Sequence, residues 1–261
     1  MNLGQLFTLD EVERVRSAFH EMMGAQSVDG VEIIREGGPE TPVRSVMGWE
    51  HASPLLDHFT RDARVLAAVQ SLIGDDVVLH QTKYNPKAPS GKGEKWDPHR
   101  GITFWHYLDG VPDPGRMVSV FIALTEQTVE NGAVVTWKAA HNLTLEQLKE
   151  ETDFGNRHEE GDTQKDTAPT LSLQIRPENI EGYTQTFEKV DLVGPPGTVW
   201  LLDSRNLHAS APNNSPSVRE LVANVYRSAG NVPATPRGKE FLCSTSNIPL
   251  RPFVAGKDGD L

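Results

Sequence analysis

Three segments of the chain carry apolar residues at helical spacing. A capping-box sequence at 8–11 precedes a run whose apolar positions recur every three or four residues, and Gly24 is placed to end it. A second run, from about 60 to 73, has one apolar face and is followed by Gly74. A third segment begins with a second box-like sequence and is predicted to form a short helix over 144–152.

From about residue 77 onward the pattern changes to short apolar runs separated by turn sequences rich in Gly and Pro. Runs of this kind at fairly even spacing are typical of a β-sandwich or barrel. We therefore predict a mainly β fold with helices flanking the sheet. The expected strands are 77–84, 102–108, 116–125, 133–138, 187–193, 197–202 and 219–228.

The pattern predicts a single domain over 1–261, because no linker separates two parts of the chain. Within it we expect a helical N-terminal support at 8–74, a barrel core at 77–228 and an irregular C-terminal wrap at 229–261. The polar stretch 153–179 lacks periodicity and is long for a connection, which leaves two readings, a functional lid or a disordered loop.

Composition excludes several function classes. The net charge of −11 disfavours binding to nucleic acid, which requires clustered Lys and Arg. The single cysteine excludes an internal disulfide framework, and no apolar run has the length of a membrane span. The N-terminal residues do not form a signal sequence, so we expect a cytoplasmic protein that acts on a small molecule without a membrane or nucleic-acid partner.

Two of the nine histidines stand out by their positions relative to predicted strands. His99 lies in Trp-Asp-Pro-His-Arg-Gly, just before one strand, and His208 follows another. Histidines from distant strands can converge on one metal ion, and neutral imidazole suits iron, zinc, copper or nickel. Ser210 and Arg219 follow His208, and a strand-borne guanidinium beside a metal is suited to bind a dicarboxylate through a bidentate contact.

The region from about 77 to 228 resembles the phytanoyl-CoA dioxygenase superfamily, and the ectoine hydroxylases within it. The segments that carry this resemblance are His-Gln-Thr-Lys-Tyr-Asn-Pro-Lys at 80–87, the segment around His99, Glu-Asn-Gly at 130–132, and Gly-Pro-Pro-Gly-Thr-Val at 194–199. The resemblance implies a double-stranded β-helix, or jelly-roll barrel, that uses Fe(II), 2-oxoglutarate and dioxygen. It implies that His99 and His208 bind the metal. It assigns 2-oxoglutarate to Gln81, Asn85, Trp105, Ser210 and Arg219.

The sequence departs from the family at the third metal ligand. Hydroxylases of the family carry His-x-Asp or His-x-Glu, whereas this chain has Gly101 at that position. Glycine opens a coordination position and removes a negative charge beside the cation, and a chloride ion would supply both. His-x-Gly resembles the iron- and 2-oxoglutarate-dependent halogenases that act on free amino acids, which implies that chloride binds at Gly101.

Two alternatives remain open. In the first, water takes the empty position and the protein is a hydroxylase. In the second, Gly101 marks a non-catalytic, cupin-like binding protein, although such a protein need not keep the residues that bind 2-oxoglutarate.

Substrate contacts are the least determined part of the prediction. Arg44 is a candidate for the substrate's α-carboxylate, with a plain surface arginine as the alternative. Trp96 and Ile102 are apolar neighbours of the predicted metal site and favour an aliphatic amino acid such as leucine, isoleucine or norleucine, unless they are core residues. Asn224 is expected either to steer the reaction by a hydrogen bond or to be an ordinary sheet residue.

Overall fold

A computed structural model describes residues 1–25, 27–37, 40–153, 174–236, 242–257, 259 and 261. Its helices begin as the capping sequences predict. Thr8 and Thr144 each accept the backbone N–H three residues on, and the Glu or Gln at that position bonds back to the cap. Gly74 ends its helix in the left-handed conformation at φ 71°, which a glycine adopts without steric cost. The described helices are α1 Leu9–Gly24, α2 Pro54–Thr60, α3 Ala63–Ile73, α4 Gly101–Tyr107, α5 Leu145–Glu150 and α6 Pro177–Thr186.

The described strands form two larger antiparallel sheets and one two-stranded pair. The strands are β1 Asn2–Gln5, β2 Glu32–Arg35, β3 Val43–Met47, β4 Val77–Lys87, β5 Trp96–His99, β6 Met117–Ala123, β7 Val134–Trp137, β8 Thr152–Asp153, β9 Gln174–Ile175, β10 Lys189–Asp191, β11 Thr198–Asp203, β12 His208–Ser210 and β13 Arg219–Ser228. The large sheet has the order β1-β11-β6-β13-β4-β3-β2, the small sheet has the order β10-β7-β12-β5, and β8 pairs with β9.

The main hydrophobic core lies between the first helices and the large sheet. Apolar residues of α1, α2 and α3 pack against the side chains of β6, β11 and β13 that point outward from the barrel. Tyr84 of β4 stacks on Phe19 of α1 with ring centroids 4.1 Å apart. The opposite face of the large sheet is turned toward the small sheet, so the space between the two sheets is left for a cavity.

The mainly β architecture with flanking helices is confirmed, but one predicted strand is wrong. The segment 102–108 belongs to helix α4, because the apolar run Ile-Thr-Phe-Trp fits a short buried helix as well as a strand. The N-terminal support is also not purely helical, since β1, β2 and β3 all join the large sheet.

Most of the stretch predicted as a lid or loop, residues 154–173, lies outside the described residues. Its described flanks are β8, β9 and α6. From 229 onward the described residues form no helix or named strand, and backbone N–H groups of Ser244 and Leu250 donate to carbonyls of β4. Among the described residues, no helix combines the length and the hydropathy that a membrane crossing requires.

Candidate active site

A cavity lies between the two sheets and is lined from both of them. The large sheet contributes residues of β4, β6 and β13, and the small sheet contributes β5, β7 and β12. On β4, β6 and β13 alternate residues face the cavity, as the pleat of a strand requires. The described lining consists of Met47, Gln81, Lys83, Asn85, Trp96, His99, Gly101, Phe104, Trp105, Ser119, Phe121, Val134, His208, Ala209, Ser210, Arg219, Leu221, Ala223, Val225 and Leu242.

His99 and His208 are direct partners across the antiparallel pair β5–β12. Side chains at such positions stand on the same face of the sheet and contact each other. The two imidazole rings accordingly lie with their centroids 4.2 Å apart in the cavity wall. The structure thus brings together the two histidines that the sequence singled out, and their role as metal ligands stays a prediction.

Both histidines are oriented as metal ligands. The Nδ1 atom of His99 lies 2.6 Å from the carbonyl of Asp97, and that of His208 lies 3.2 Å from the carbonyl of Asn206. A carbonyl only accepts, so each Nδ1 carries the proton and each Nε2 keeps a lone pair for a metal ion. Desolvation lowers the pKa of His208 to about 4 and also lowers that of His99, so both rings are neutral at pH 7.

No described residue of the cavity wall carries a carboxylate. Asp97 forms an ion pair with Lys95 at 2.8 Å, and Asp203 binds Arg205 at 2.6 Å, so neither replaces the missing ligand. The donor set for a metal is therefore two neutral imidazoles and no protein anion.

Gly101, the predicted chloride position, lines the cavity at the start of α4. A Cβ atom at this residue would lie 2.3 Å from Cη2 and 2.4 Å from Cζ3 of Trp105. The indole thus occupies the direction in which an aspartate side chain would leave the backbone. A ligand in the place of that side chain requires the indole to shift, and the binding of chloride at Gly101 stays a prediction.

Arg219 provides the clearest sign of an absent anion. Its side chain is 1% exposed, and its Nε and Nη1 atoms have no hydrogen-bond partner. A buried guanidinium without partners costs several kcal/mol, so an anionic ligand is expected to complete the site. Ser210, which was predicted to act with Arg219, lines the same cavity.

Lys87 is a residue of this subsite that the sequence analysis missed. Its Nζ atom donates to Oγ of Ser210 at 2.7 Å and to the carbonyl of Ala211 at 2.5 Å. Lys87 is the register partner of Arg219. Burial lowers the pKa of Lys87 to about 6, with the charges of Arg219 and Arg44 adding to the effect. Two adjacent basic groups and a hydroxyl fit the distal carboxylate of 2-oxoglutarate.

The other residues predicted for 2-oxoglutarate, Gln81, Asn85 and Trp105, also line the cavity. Both amides already donate within the chain. Nε2 of Gln81 bonds the carbonyl of Leu242 at 2.7 Å, and Nδ2 of Asn85 bonds the carbonyl of Arg44 and Oγ of Ser45. These amide N–H groups therefore support the cavity wall.

Arg44 is not among the residues that line the cavity. Its guanidinium forms an ion pair with Glu36 at 2.9 Å, donates to the carbonyl of Lys95 and lies 3.8 Å from the ring centroid of Trp96. The prediction that Arg44 binds the substrate's carboxylate is not supported, because these contacts engage the group behind Trp96. Trp96 itself does line the cavity, as predicted.

Ile102 and Asn224 are not among the described lining residues of the cavity, which favours the core residue and the ordinary sheet residue that the sequence left open for them. Ile102 is fully buried in α4, where the helix turns it out of the cavity wall. Asn224 lies on β13 between Ala223 and Val225, whose side chains face the cavity, so it points toward the helices. There its Nδ2 lies 3.4 Å from the hydroxyl of Tyr226.

Arg100, between His99 and Gly101, anchors this segment from behind. It is fully buried and pairs with Glu151, with Nε 2.5 Å from Oε1 and Nη2 3.2 Å from Oε2. Nη1 donates to the carbonyls of Ala140 and Arg205, and the hydroxyl of Tyr183 donates to Glu151 at 2.5 Å. The backbone beside both site residues is thus fixed by a buried network of tertiary contacts, which no local sequence pattern predicts.

Comparisons with known proteins identify the family of this chain. The model of the phytanoyl-CoA dioxygenase (PhyH) family matches residues 2–221. The chain belongs to this family. It is 27% identical over 241 residues to the ectoine dioxygenase of Sphingopyxis alaskensis, covering 91% of this chain and 75% of that protein. It is 28% identical over 232 residues to the ectoine dioxygenase of Nocardia farcinica, covering 88% and 74%.

Solved structures show the same fold. EctD from S. alaskensis, solved with 2-oxoglutarate and 5-hydroxyectoine, superposes with a TM-score of 0.79 at 25% identity over 98% of this chain and 83% of that one. The α-ketoglutarate-dependent carbocyclase SnoK from nogalamycin biosynthesis gives 0.67 at 18% identity, covering 96% and 88%, which shows the fold alone. The predicted double-stranded β-helix is therefore confirmed.

The predicted class, a non-heme iron oxygenase dependent on 2-oxoglutarate, is confirmed with the family. The finer prediction of a halogenase is not confirmed, because these relatives are named ectoine dioxygenases and their names give no support for chloride. The residues present fit the implied groups: neutral His99 and His208 fit iron, and Arg219 with Lys87 and Ser210 fits the cosubstrate.

Proposed function

We propose that this chain is an iron- and 2-oxoglutarate-dependent halogenase that chlorinates an sp³ carbon of a small carboxylic acid, with an aliphatic amino acid as the first candidate. The observation that carries the proposal is the donor set of two neutral histidines with no carboxylate in the described cavity wall. A divalent cation held by neutral ligands alone favours an anion at its open position, and chloride is an abundant one.

In this account the bound iron, with 2-oxoglutarate and dioxygen, supplies the oxidising power. The residues of the chain bind the metal and the cosubstrate and orient the substrate. His99 and His208 present Nε2 to the metal, while their Nδ1–H groups are fixed by backbone carbonyls. Arg219 and Ser210 hold the distal carboxylate of 2-oxoglutarate, and the indole of Trp105 limits the space beside Gly101. The aromatic and aliphatic wall excludes water and aligns the target carbon.

Hydroxylation is the second candidate function, with water at the open position. The comparisons support hydroxylation better than chlorination, because the relatives they find are ectoine dioxygenases. The indole of Trp105 beside Gly101 also favours a ligand of small size, such as water. The substrate of the relatives, ectoine, belongs in any test of this chain.

The deciding experiment is product analysis by mass spectrometry. The protein is incubated aerobically with Fe(II), 2-oxoglutarate and a pool of the twenty amino acids and ectoine, with and without sodium chloride. A product with the isotope pattern of chlorine, formed only with chloride, supports the halogenase. An oxygenated product alone supports the hydroxylase. Absence of any succinate would contradict both.

Two substitutions at Gly101 separate coordination from packing. Gly101→Ala and Gly101→Asp both require Trp105 to shift, but only aspartate brings a carboxylate to the metal. We expect Gly101→Asp to abolish chlorination and Gly101→Ala to retain part of it. Equal chlorination by Gly101→Asp and the wild type would show that the halide does not bind at Gly101.

A further inference from the structure

Lys87 places a buried amine beside the guanidinium of Arg219. It is 4% exposed and is the register partner of Arg219 across the β4–β13 pair. Its Nζ atom donates to Oγ of Ser210 and to the carbonyl of Ala211, and both of these acceptors are uncharged. We propose that Lys87 is a neutral amine in the ligand-free protein and takes up one proton when the distal carboxylate of 2-oxoglutarate binds. This inference rests on the proposed oxygenase function.

The hydrogen bonds of Lys87 suit the neutral amine. An amine has two N–H groups and a lone pair, whereas an ammonium has three N–H groups and no acceptor. The contacts of Nζ with Ser210 at 2.7 Å and with Ala211 at 2.5 Å use both N–H groups of the neutral form. An ammonium needs a third acceptor, and a carboxylate bound at Arg219 can supply it. The ligand and the third proton are therefore expected to bind together.

The charges around Lys87 also favour the neutral form without ligand. Burial lowers the pKa of Lys87 to about 6, the charges of Arg219 and Arg44 lower it further, and those of Glu36 and Glu94 raise it. Glu36 is engaged by Arg44 at 2.9 Å, which weakens its effect on the amine. Burial lowers the pKa of Arg219 only to about 10, so the guanidinium keeps its proton and about nine tenths of Lys87 is neutral at pH 7.

A bound carboxylate reverses this balance. It neutralises Arg219 and brings an opposite charge next to Lys87, and both changes raise the pKa of the amine. By linkage, 2-oxoglutarate then binds more tightly to the protonated form of Lys87. The affinity should fall as the pH rises above about 6, the ligand-free value, and should be nearly constant below it. The proton comes from the buffer, and no other bond forms or breaks.

Lys87 also acts as a positioning residue for Ser210. Because Oγ of Ser210 accepts a hydrogen bond from Lys87, the O–H group of the serine is directed to another acceptor. Ser210 and Arg219 both line the cavity, so a carboxylate there can accept from the hydroxyl and from the guanidinium. The amine therefore orients one donor of this subsite and adds its charge only when the anion is present.

The first test counts protons by calorimetry. The protein loaded with Fe(II) is titrated with 2-oxoglutarate without oxygen, in pairs of buffers that differ in their enthalpy of ionisation. The dependence of the binding enthalpy on the buffer gives the number of protons taken up. For the wild type we expect about half a proton at pH 6 and about one at pH 8, with at least about tenfold weaker binding at pH 8. Binding of 2-oxoglutarate without proton uptake would overturn the proposal.

Three variants identify the group that takes up the proton. Lys87→Met removes the amine, and Lys87→Arg carries a charge that does not titrate in this range. Both should take up less than about 0.2 proton, and their affinity should change less than about threefold between pH 6 and 8. Lys83→Met is the matched control on the same face of β4 and should take up the proton as the wild type does. Uptake that persists in Lys87→Met, or is lost in Lys83→Met, would overturn the proposal.

Carbon NMR of protein labelled at the lysine ε-carbons observes the amine directly. The protein is loaded with Zn(II) in place of paramagnetic Fe(II), and the resonance missing from Lys87→Met is that of Lys87. We expect this resonance to titrate near pH 6 without 2-oxoglutarate and to show the ammonium form at pH 7.5 with it. The ammonium form at pH 7.5 in both states would overturn the proposal. Failure of the wild type to bind 2-oxoglutarate would instead contradict the proposed function.

Discussion

Two neighbouring residues of β13, Arg219 and Glu220, are both buried and charged, but they lie on opposite faces of the same sheet. Glu220 faces the helices and binds Arg16 at 2.5 Å, His20 at 2.6 Å and the hydroxyl of Tyr84 at 2.6 Å. Arg219 faces the cavity and leaves Nε and Nη1 without a hydrogen-bond partner.

The difference separates a charge that stabilises the fold from a charge that is kept for a ligand. Partners within the chain compensate the desolvation of Glu220, whereas the corresponding compensation for Arg219 must come from outside. Stability and binding are thus assigned to alternate residues of one strand. Substitutions on the two faces should have different consequences.

The largest effect is expected for Arg219→Ala. Loss of a buried cation from a charge-assisted contact should weaken 2-oxoglutarate binding roughly 1,000-fold, which corresponds to about 4 kcal/mol. The free energy of unfolding of the ligand-free protein should not decrease, because an uncompensated buried charge is removed. Titration with 2-oxoglutarate and denaturant unfolding measure the two quantities. An unchanged affinity for 2-oxoglutarate would show that Arg219 does not bind the cosubstrate.

The reverse pattern is expected for Glu220→Gln. Loss of its charge weakens the hydrogen bonds from Tyr84, Arg16 and His20, and we expect a decrease of about 2–3 kcal/mol in the free energy of unfolding with little change in 2-oxoglutarate affinity. Glu13→Gln is the matched control. Glu13 also binds Arg16, but its side chain is 67% exposed, so its loss should cost under about 1 kcal/mol. Similar losses for the two variants would contradict this distinction.

The contribution of Glu220 should also depend on pH. Burial alone would raise the pKa of this carboxyl, but hydrogen bonds from Tyr84, His20 and Arg16 hold it below the ordinary value. A lowered carboxyl pKa stabilises the fold above its unfolded-state value of about 4.5, and this stabilisation is lost as the pH falls through the folded-state value. The stability difference between wild type and Glu220→Gln should shrink as the pH falls below about 4.5. A difference that stays constant or grows over that range would contradict the stabilising role of the Glu220 carboxylate.

The smallest effect is expected for Asn224→Ala. Asn224 lies on the helix-facing side of β13, and its hydrogen bond to Tyr226 is long at 3.4 Å. We expect a loss of about 1 kcal/mol in stability and an unchanged product distribution. A changed ratio of chlorinated to hydroxylated product in this variant would show that Asn224 does influence the reaction.

These two faces also explain how far the sequence could predict the molecule. Of the seven strands predicted from apolar runs and turn residues, six correspond to strands of the structure. Capping boxes correctly predicted the starts of α1 and α5. The run 102–108 failed because a short apolar stretch has no distinct period. The convergence of His99 and His208 was predictable, since each occurs at a strand end in a recognisable motif.

Side-chain direction was less predictable, because a shift of one residue moves a side chain to the other face. Asn224 was misplaced for this reason, while Lys83 and Lys87 were missed although they follow Gln81 and Asn85 at intervals of two. The spacing of two residues along β4 is the feature of the sequence from which both lysines could have been predicted to face the cavity. The contacts of Arg44 with Glu36 and Trp96, and of Trp105 with Gly101, depend on tertiary packing that no local pattern contains.

The central claim is that His99 and His208 hold iron beside a cosubstrate anchored by Arg219. The most direct measurement is titration of the protein with Fe(II) and then 2-oxoglutarate without oxygen, monitored by the visible charge-transfer absorption of an iron-bound 2-oxo acid. The account predicts a band that saturates at one equivalent, disappears in His99→Ala and His208→Ala, and requires much more 2-oxoglutarate in Arg219→Ala. A wild type without the band, or a band that survives loss of either histidine, would contradict it.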